Sequence, residues 1–464
     1  FSFISRVANA VWNELPLTLL VHMTTSSDLR VGLVAGVAGI CQLLGAPLAA
    51  YVADKNSRSW VLRAAGVVTI VAIAVTVFSV YLDYYTVLLS AMALWGFSNA
   101  ASNPTADAVI ADTVAAGERS AVYTLRSQLM QLGAGVGPAV ALVMFAVLGD
   151  EWKMSELRYI IYTGLAVQLV PAYILLTFPL LASPQAVGEY AAVRSDDLHD
   201  EEQSLGITSN IRREDESIEN SNICINNDAR IRNAEGVPDV KLVTQSGRNI
   251  DLEMSHHHQQ ALSSGIVDSR EFIVPLVIVV TDVFSMLASG MSVKFFGVFF
   301  KENMHMAPAT VTLMYMVPPI ATSISLKVTQ RLSKYTGRLP AAVGVKMLGI
   351  VCFILMIILY KKSDNKWIIG GLFILRTALM NSPKPLMKSV IMDLVPASER
   401  ARWNSVESIN AASWAGSAML GGYIIDKYGI IVNFTITVLV QIFVGTAPLI
   451  LVSSYIPAEN DASS

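Results

Sequence analysis

The chain has 464 residues, 53% of them hydrophobic and only 15% charged, with a mean hydropathy of +0.52 and a formal net charge of −3. Soluble globular proteins carry about 25% charged residues. A water-facing surface of this size cannot be built from so few charges, which argues against a cytosolic enzyme, a nucleic-acid-binding protein and a secreted scaffold. Cys41, Cys224 and Cys352 are far apart and form no C-x-x-C, so neither a disulfide framework nor a zinc site is indicated.

A membrane-crossing helix needs about 20 mainly apolar residues. Windows of that kind fall at 2–24, 30–53, 59–81, 85–111, 120–147 and 157–181. After a polar gap they resume at 272–299, 308–330, 339–360, 367–392, 403–425 and 430–454. The chain therefore reads as an all-α polytopic membrane protein with twelve transmembrane helices. Three regions follow: a six-helix bundle over 1–182, a linker over 183–270 and a second six-helix bundle over 271–464.

The linker holds 16 Asp and Glu against 8 Lys and Arg, with many Ser and Asn and almost no aromatic residue. Such a segment cannot bury enough apolar surface to offset its ordering entropy, and it is expected to be disordered. It contributes −8 to the net charge, so the rest of the chain carries +5. His256–His258 could bind metal weakly, but they read more simply as part of a solvated polar run. Phe1 is not an initiator methionine, so the chain is expected to be trimmed at its start and any targeting segment lies outside it.

A repeat relates the two halves at an offset of 281. Pro104-Thr-Ala-Asp-Ala-Val-Ile-Ala-Asp112, followed by Glu118-Arg119, matches Pro385-Leu-Met-Lys-Ser-Val-Ile-Met-Asp393, followed by Glu399-Arg400. Each copy ends the fourth helix of its half and opens the fifth. Two parallel six-helix repeats joined by a charged loop resemble the major facilitator superfamily of secondary transporters. The loop between helices 2 and 3 supports this. The family pattern G-x-L-A-D-R-x-G-R-R aligns with Ala50 to Ser59, where Asp54, Lys55 and Arg58 match in charge while both glycines and the last arginine are replaced. The corresponding loop of the second half, Lys334 to Arg338, keeps Gly337 and Arg338 and lacks the acid. Helix 5 carries the family's Gly/Pro-rich stretch as Gly133, Gly135, Gly137 and Pro138. Those glycines, like Gly32-x-x-x-Gly36, are expected to allow close helix packing or a bend, with direct substrate contact as the other reading.

Ionisable side chains inside membrane helices are costly and usually face a bundle interior or a watery cavity. The bases so placed are Arg6, Arg126, Lys294, Arg376, Lys384 and Lys388, and the acids are Glu14, Asp107, Asp282 and Glu407. Through the repeat, Asp107 aligns with Lys388, Arg126 with Glu407 and, at a near-identical offset, Glu14 with Lys294. Opposite charges thus occupy equivalent positions. The resemblance places helices 1, 4, 7 and 10 around a central cavity, which makes Glu14, Asp107, Lys294 and Lys388 candidates to line it or to pair across it. The bases could hold an anion and Glu14 or Asp107 could carry a proton; structural ion pairing is the competing role. Polar stripes on helix 1 (Arg6, Asn9, Asn13) and helix 7 (Asp282, Ser285, Ser289, Ser292) read as cavity wall, and Asn103 joins that surface. Lys384 and Lys388 lie one turn apart, and Pro383 and Pro385 are expected to bend the helix there.

The resemblance gives the charges at one membrane face a gating role. These are Asp54, Lys55, Arg58, Asp112, Arg119, Asp393 and Arg400, at the face that is cytoplasmic in the family. The sequence contains no G-x-x-x-x-G-K-[ST] phosphate loop and no H-E-x-x-H, so ATP hydrolysis and zinc chemistry are not supported. The expected function is secondary active transport by alternating access. The cargo would be a small solute, an organic or inorganic anion with protons as coupling partner, and no cofactor is implied. A receptor or scaffold that keeps the fold without transporting is the alternative.

Overall fold

The computed structural model describes residues 1–113, 119–179, 274–362, 365–394 and 406–453. The acidic linker lies outside them. The helical stretches on either side of it belong to one compact unit, and among the described residues they make twelve helical passages. In the first half these are α1 (Ser2–Asn9, the π turn Ala10–Glu14 and Pro16–Thr25), α2 (Asp28–Lys55), α3 (Arg58–Leu82), α4 (Tyr85–Thr113), α5 (Arg119–Leu148) and α6 (Met154–Leu176). In the second half, α7 runs over Val274–Asn303, and α8 and α9 cover Pro308–Thr336 and Arg338–Lys362. They are followed by α10 (Lys366–Asn381 and Lys384–Leu394), α11 (Val406–Tyr428) and α12 (Ile430–Phe443 and Ala447–Ser453).

Eight of the passages are long and apolar enough by themselves to cross a bilayer. The other four are α1, α4, α10 and α11. Two of these are interrupted: α1 by its π turn and α10 at Ser382–Pro383, where the expected bend is a break between two helical segments. A proline ring removes one amide donor and crowds the preceding turn. Hydroxyls from α8 brace the gap, with Ser325 and Thr329 each 3.1 Å from the Ser382 Oγ. All four carry polar residues that face inward, which lowers their hydropathy.

The first and seventh passages break at matching places. In α1 the π turn ends at Glu14, with Leu15 as the single turn residue before the helix resumes at Pro16; in α7 the helix stops at Lys294–Phe295 and a π turn follows at Phe299–Asn303. A π turn holds more residues than the 3.6 of an α turn. One such turn therefore brings residues eight apart onto one face, and Arg6 reaches Glu14 at 2.6 Å.

One buried apolar core runs through both halves, with an aromatic cluster in each. In the first, Trp12 and Trp95 lie 5.1 Å apart, and the Trp95 Nε1 donates to Thr76 at 3.0 Å. The second centres on Phe296, whose ring lies 4.8 Å from both Phe373 and Phe434. Outward faces carry large exposed apolar side chains such as Leu48, Val147, Phe443 and Leu451. On this scale they suit lipid rather than water.

The halves meet along α2 with α11 and along α5 with α8, two contacts related by the repeat. Small residues allow the first. A Cβ on Gly32 would lie 2.8 Å from the Met419 Cα, and one on Gly422 would lie 2.8 Å from the Leu29 Cα. The expected close packing at Gly32 therefore joins the two halves, and that at Gly137 seats α5 on α1, where a Cβ would meet the Val7 carbonyl at 2.9 Å.

Candidate functional site

A cavity of about 600 Å³ lies between the halves. It is walled by α1 through Arg6, Asn9 and Asn13, by α2 through Gly39 and Gln42, and by α4 through Asn99 and Asn103. Opposite stand Asp282 and Lys294 of α7, Lys384 and Lys388 of α10, and Asn410 and Trp414 of α11. The wall reaches Phe1 and Ser2 at the start of α1 and Ile391 in the last turn of α10. All three lie at the face where α2 ends in Lys55. Towards the opposite face, where α2 begins at Asp28, the wall goes no further than residues such as Ala35, Met92 and Lys294.

Past that level the Asp28 face is sealed by contacts between the halves. Asp426, near the end of α11, accepts from the amides of Asp28 at 2.7 Å and Leu29 at 3.1 Å, and from the Ser27 hydroxyl at 2.7 Å. Asp150, after the end of α5, accepts from the Ala309 amide at 2.7 Å. Each carboxylate thus satisfies donors at the N-terminus of a helix in the other half, where the helix dipole favours negative charge. At α8 this supplies a cap that Ala307, at the N-cap position, has no side chain to provide. Asp150 is aimed by a reversal in which Gly149 has φ 125° and Asp150 itself φ 53°. In the same loop, the hydrogen bond from Lys153 holds the Glu151 carboxyl below its usual range. The Trp152 Nε1 donates to the Met306 carbonyl at 2.8 Å, and His22 stands 3.2 Å from Asp28 and 3.8 Å from Glu302 of the other half.

Of the residues singled out in the sequence, Asn13, Asn103, Asp282, Lys294, Lys384 and Lys388 are in the cavity wall. Glu14 is tied to Arg6, and Asp107 to Arg126, which also donates to Ser2 at 3.1 Å. Both ion pairs lie inside the first half. Arg376 is placed elsewhere: it is 3% exposed, and its guanidinium stacks over Phe296 and Phe353 at 5.2 and 4.7 Å. An arginine plane can rest on aromatic faces in this way. The side chains of Glu407, Asp54, Asp112, Arg119, Asp393 and Arg400 lie outside the described residues. Arg58 donates to the Ala108 carbonyl, tying α3 to α4, and Lys55 rests over the Tyr51 ring.

The stripe on α7 divides. Asp282 faces the cavity and accepts from Asn410 at 2.6 Å. Its continuation is a correction to the cavity-wall reading: Gln441 of α12 donates to the Ser285 carbonyl and to the Ser289 hydroxyl, so these serines bind helices together. Behind them stands a residue that sequence reasoning missed, Lys346 of α9, which is 5% exposed. Its ammonium donates to the Ser285 hydroxyl at 2.6 Å and to the Gly445 carbonyl at 2.7 Å, bridging α7 to the break in α12. Lys346→Ala would leave that carbonyl with only the long 3.4 Å bond from the Ser285 hydroxyl, beside a new void. It is expected to lower stability by about 2–4 kcal/mol, read as a fall in unfolding temperature in detergent; an unchanged temperature would exclude the tether role.

Two equivalent six-helix sets around a polar central cavity, sealed at one face, define a membrane transporter. The chain belongs to the Major Facilitator Superfamily, whose family model matches residues 2–408. No curated protein sequence matches it significantly. Among solved structures it is similar to a D-xylose-proton symporter, with a TM-score of 0.62 at 12% identity over 98% of this chain and 97% of that one. It is also similar to a bacterial homologue of the iron transporter ferroportin in an inward-facing state, with a TM-score of 0.60 at 14% identity over 97% and 96% of the two chains. A third is the xylose transporter XylE from E. coli in a partially occluded inward open conformation, with a TM-score of 0.61 at 12% identity over 98% of each chain. At these identities the likeness establishes the fold. The chain is thus a multi-pass integral membrane protein of transporter type and not an enzyme.

Proposed function

We propose that the chain is a secondary active transporter of a small anion, coupled to protons, in a conformation that takes cargo from the Lys55 face. The observation that carries the reading is the charge of the cavity wall. Lys294 and Lys384 stand in the wall with Asp282, while Arg6 is offset by its bond to Glu14. Ionisable side chains within membrane helices are costly unless they face a watery cavity or a partner, and Lys384 and Lys388 are exposed to this one. Asp282, the carboxylate in the described wall, is the proposed proton carrier, in place of Glu14 or Asp107, which are bound to arginines.

Alternating access then consists of rocking one half against the other about a site near the midplane. Breaking the Asp150 and Asp426 contacts would open the Asp28 face. The linker joins the halves on the Lys55 side, so by the family's orientation this is the inward-facing state.

The test is uptake by the purified full chain in liposomes under an imposed pH gradient, with phosphate, succinate, benzoate, xylose and choline as probes. Accumulation of an anion that collapses with the gradient is the expected result. Uptake of xylose or choline with none of the anions would overturn the anion reading and leave the transporter class standing.

A further inference from the structure

The cavity has two kinds of wall, and the second is not explained by charge. Beside the lysines and asparagines lie Met130 of α5, Val279 and Met286 of α7, Ile391 of α10 and Trp414 of α11, all of them only part-buried. A cavity of about 600 Å³ falls within the roughly 300–1,000 Å³ of pockets that enclose drug-sized organic ligands. An inorganic oxyanion would occupy a small part of it and leave that apolar surface against water.

The two kinds of wall are joined at one point. The Lys294 ammonium lies over the Trp414 ring, 5.6 Å from its centroid. The arrangement is fixed by the backbone. A Cβ on Gly290, one turn before Lys294, would lie 2.8 Å from the Trp414 carbonyl carbon, so α11 touches α7 there and only glycine fits. The Ser417 hydroxyl donates to that same Trp414 carbonyl at 3.1 Å. A cation and the largest aromatic surface of the wall are thus held side by side, next to the place where α7 stops being helical. Met130 and Met286 add polarizable, adaptable surface that accepts varied shapes.

We infer that the cargo is an amphipathic organic anion: its acidic group sits at Lys294, and its apolar body rests on Trp414 and the two methionines. This rests on the anion reading and narrows it, and Trp414 is a specificity-determining residue.

The test uses the full chain in nanodiscs, with binding read by thermal unfolding and tryptophan fluorescence. The probes are 2-naphthoate, inorganic phosphate, 2-naphthylmethylamine and 2-naphthylmethanol. Naphthoate is expected to bind far better than the other three. Trp414→Leu is expected to weaken it about tenfold and Trp414→Phe much less, because a phenyl ring keeps most of the aromatic contact. If phosphate binds as well as naphthoate and Trp414→Leu changes neither, the amphipathic class is wrong while the anion reading survives. If the amine or the alcohol binds and naphthoate does not, both fall. If naphthoate fails to bind at all, the inference is overturned. Trp414→Phe covers the case in which Trp414→Leu does not fold.

Discussion

Replacing Asp150 and Asp426 together with alanine is expected to part the halves on the Asp28 face. Asp426 accepts from two amides and a hydroxyl, and Asp150 from one amide. Losing a capping side chain costs roughly 0.5–2 kcal/mol, and Asp426 is solvent-exposed, which favours the low end. A combined shift of about 1–2.5 kcal/mol changes the ratio of the two states by about 5- to 70-fold. Spin labels on Tyr84→Cys, in the exposed turn between α3 and α4, and on Lys361→Cys, in the exposed last turn of α9 of the other half, would report it in a background without native cysteines. A new, longer distance should appear in the double variant and in smaller amount in each single one. An unchanged distance distribution would mean that the small-residue seam between α2 and α11 holds the face shut without help from the carboxylates.

The second large effect is expected at the cavity cations. Lys294→Met and Lys384→Met each remove an ammonium while keeping much of the side-chain volume. Hydrogen bonds to charged groups contribute about 1.5–3 kcal/mol, so anion uptake at low substrate should fall roughly 10- to 100-fold in each variant. Lys384→Arg should retain a large part of it. Lys346→Met is the contrasting variant, since Lys346 is tied up behind α7 and outside the described wall; it should alter stability more than apparent affinity. If the two methionine variants transport anions like the parent chain, the cavity lysines have a structural role and the anion reading fails.

Much of this architecture is legible in the residues themselves. Apolar windows bounded by charges mark the helices, and the matching Pro104–Asp112 and Pro385–Asp393 segments reveal the repeat. The bend at Pro383 can be read from proline chemistry. Partner choice cannot be read so easily. Arg6 finds Glu14 through a π turn, for which the sequence gives no spacing signal, and Arg376 lies on phenylalanines supplied by α7 and α9. Lys346 escaped notice because it stands alone in the apolar run of α9, without the polar stripe that drew attention to α1 and α7. On α7, Asp282 and Ser285 share nearly the same face by period. What separates their environments is Asn410 from α11 on one side and Lys346 and Gln441 on the other, a three-dimensional fact. Gln42 stands alone in an apolar stretch and Trp414 is itself apolar, while Asn99 lies one turn before Asn103 and that spacing places both on one face.

The π turn in α1 also acts as a phase shift. One residue added to a helix rotates everything beyond it by about 100°. Up to and within the turn, α1 presents Arg6, Asn9 and Asn13 to the cavity; after it, Leu17, Leu19, Leu20 and Val21 are all buried. A single uninterrupted helix would carry its polar stripe onward in the same direction. With the turn in place, one length of chain serves successively as cavity wall and as apolar plug. The boundary between those two uses falls at Glu14, beside the level where the cavity ends. Deleting one residue from Ala10–Glu14 would let the wide turn close to an ordinary one with the outer segment still facing inward, whereas deleting one after Pro16 would misdirect everything beyond it.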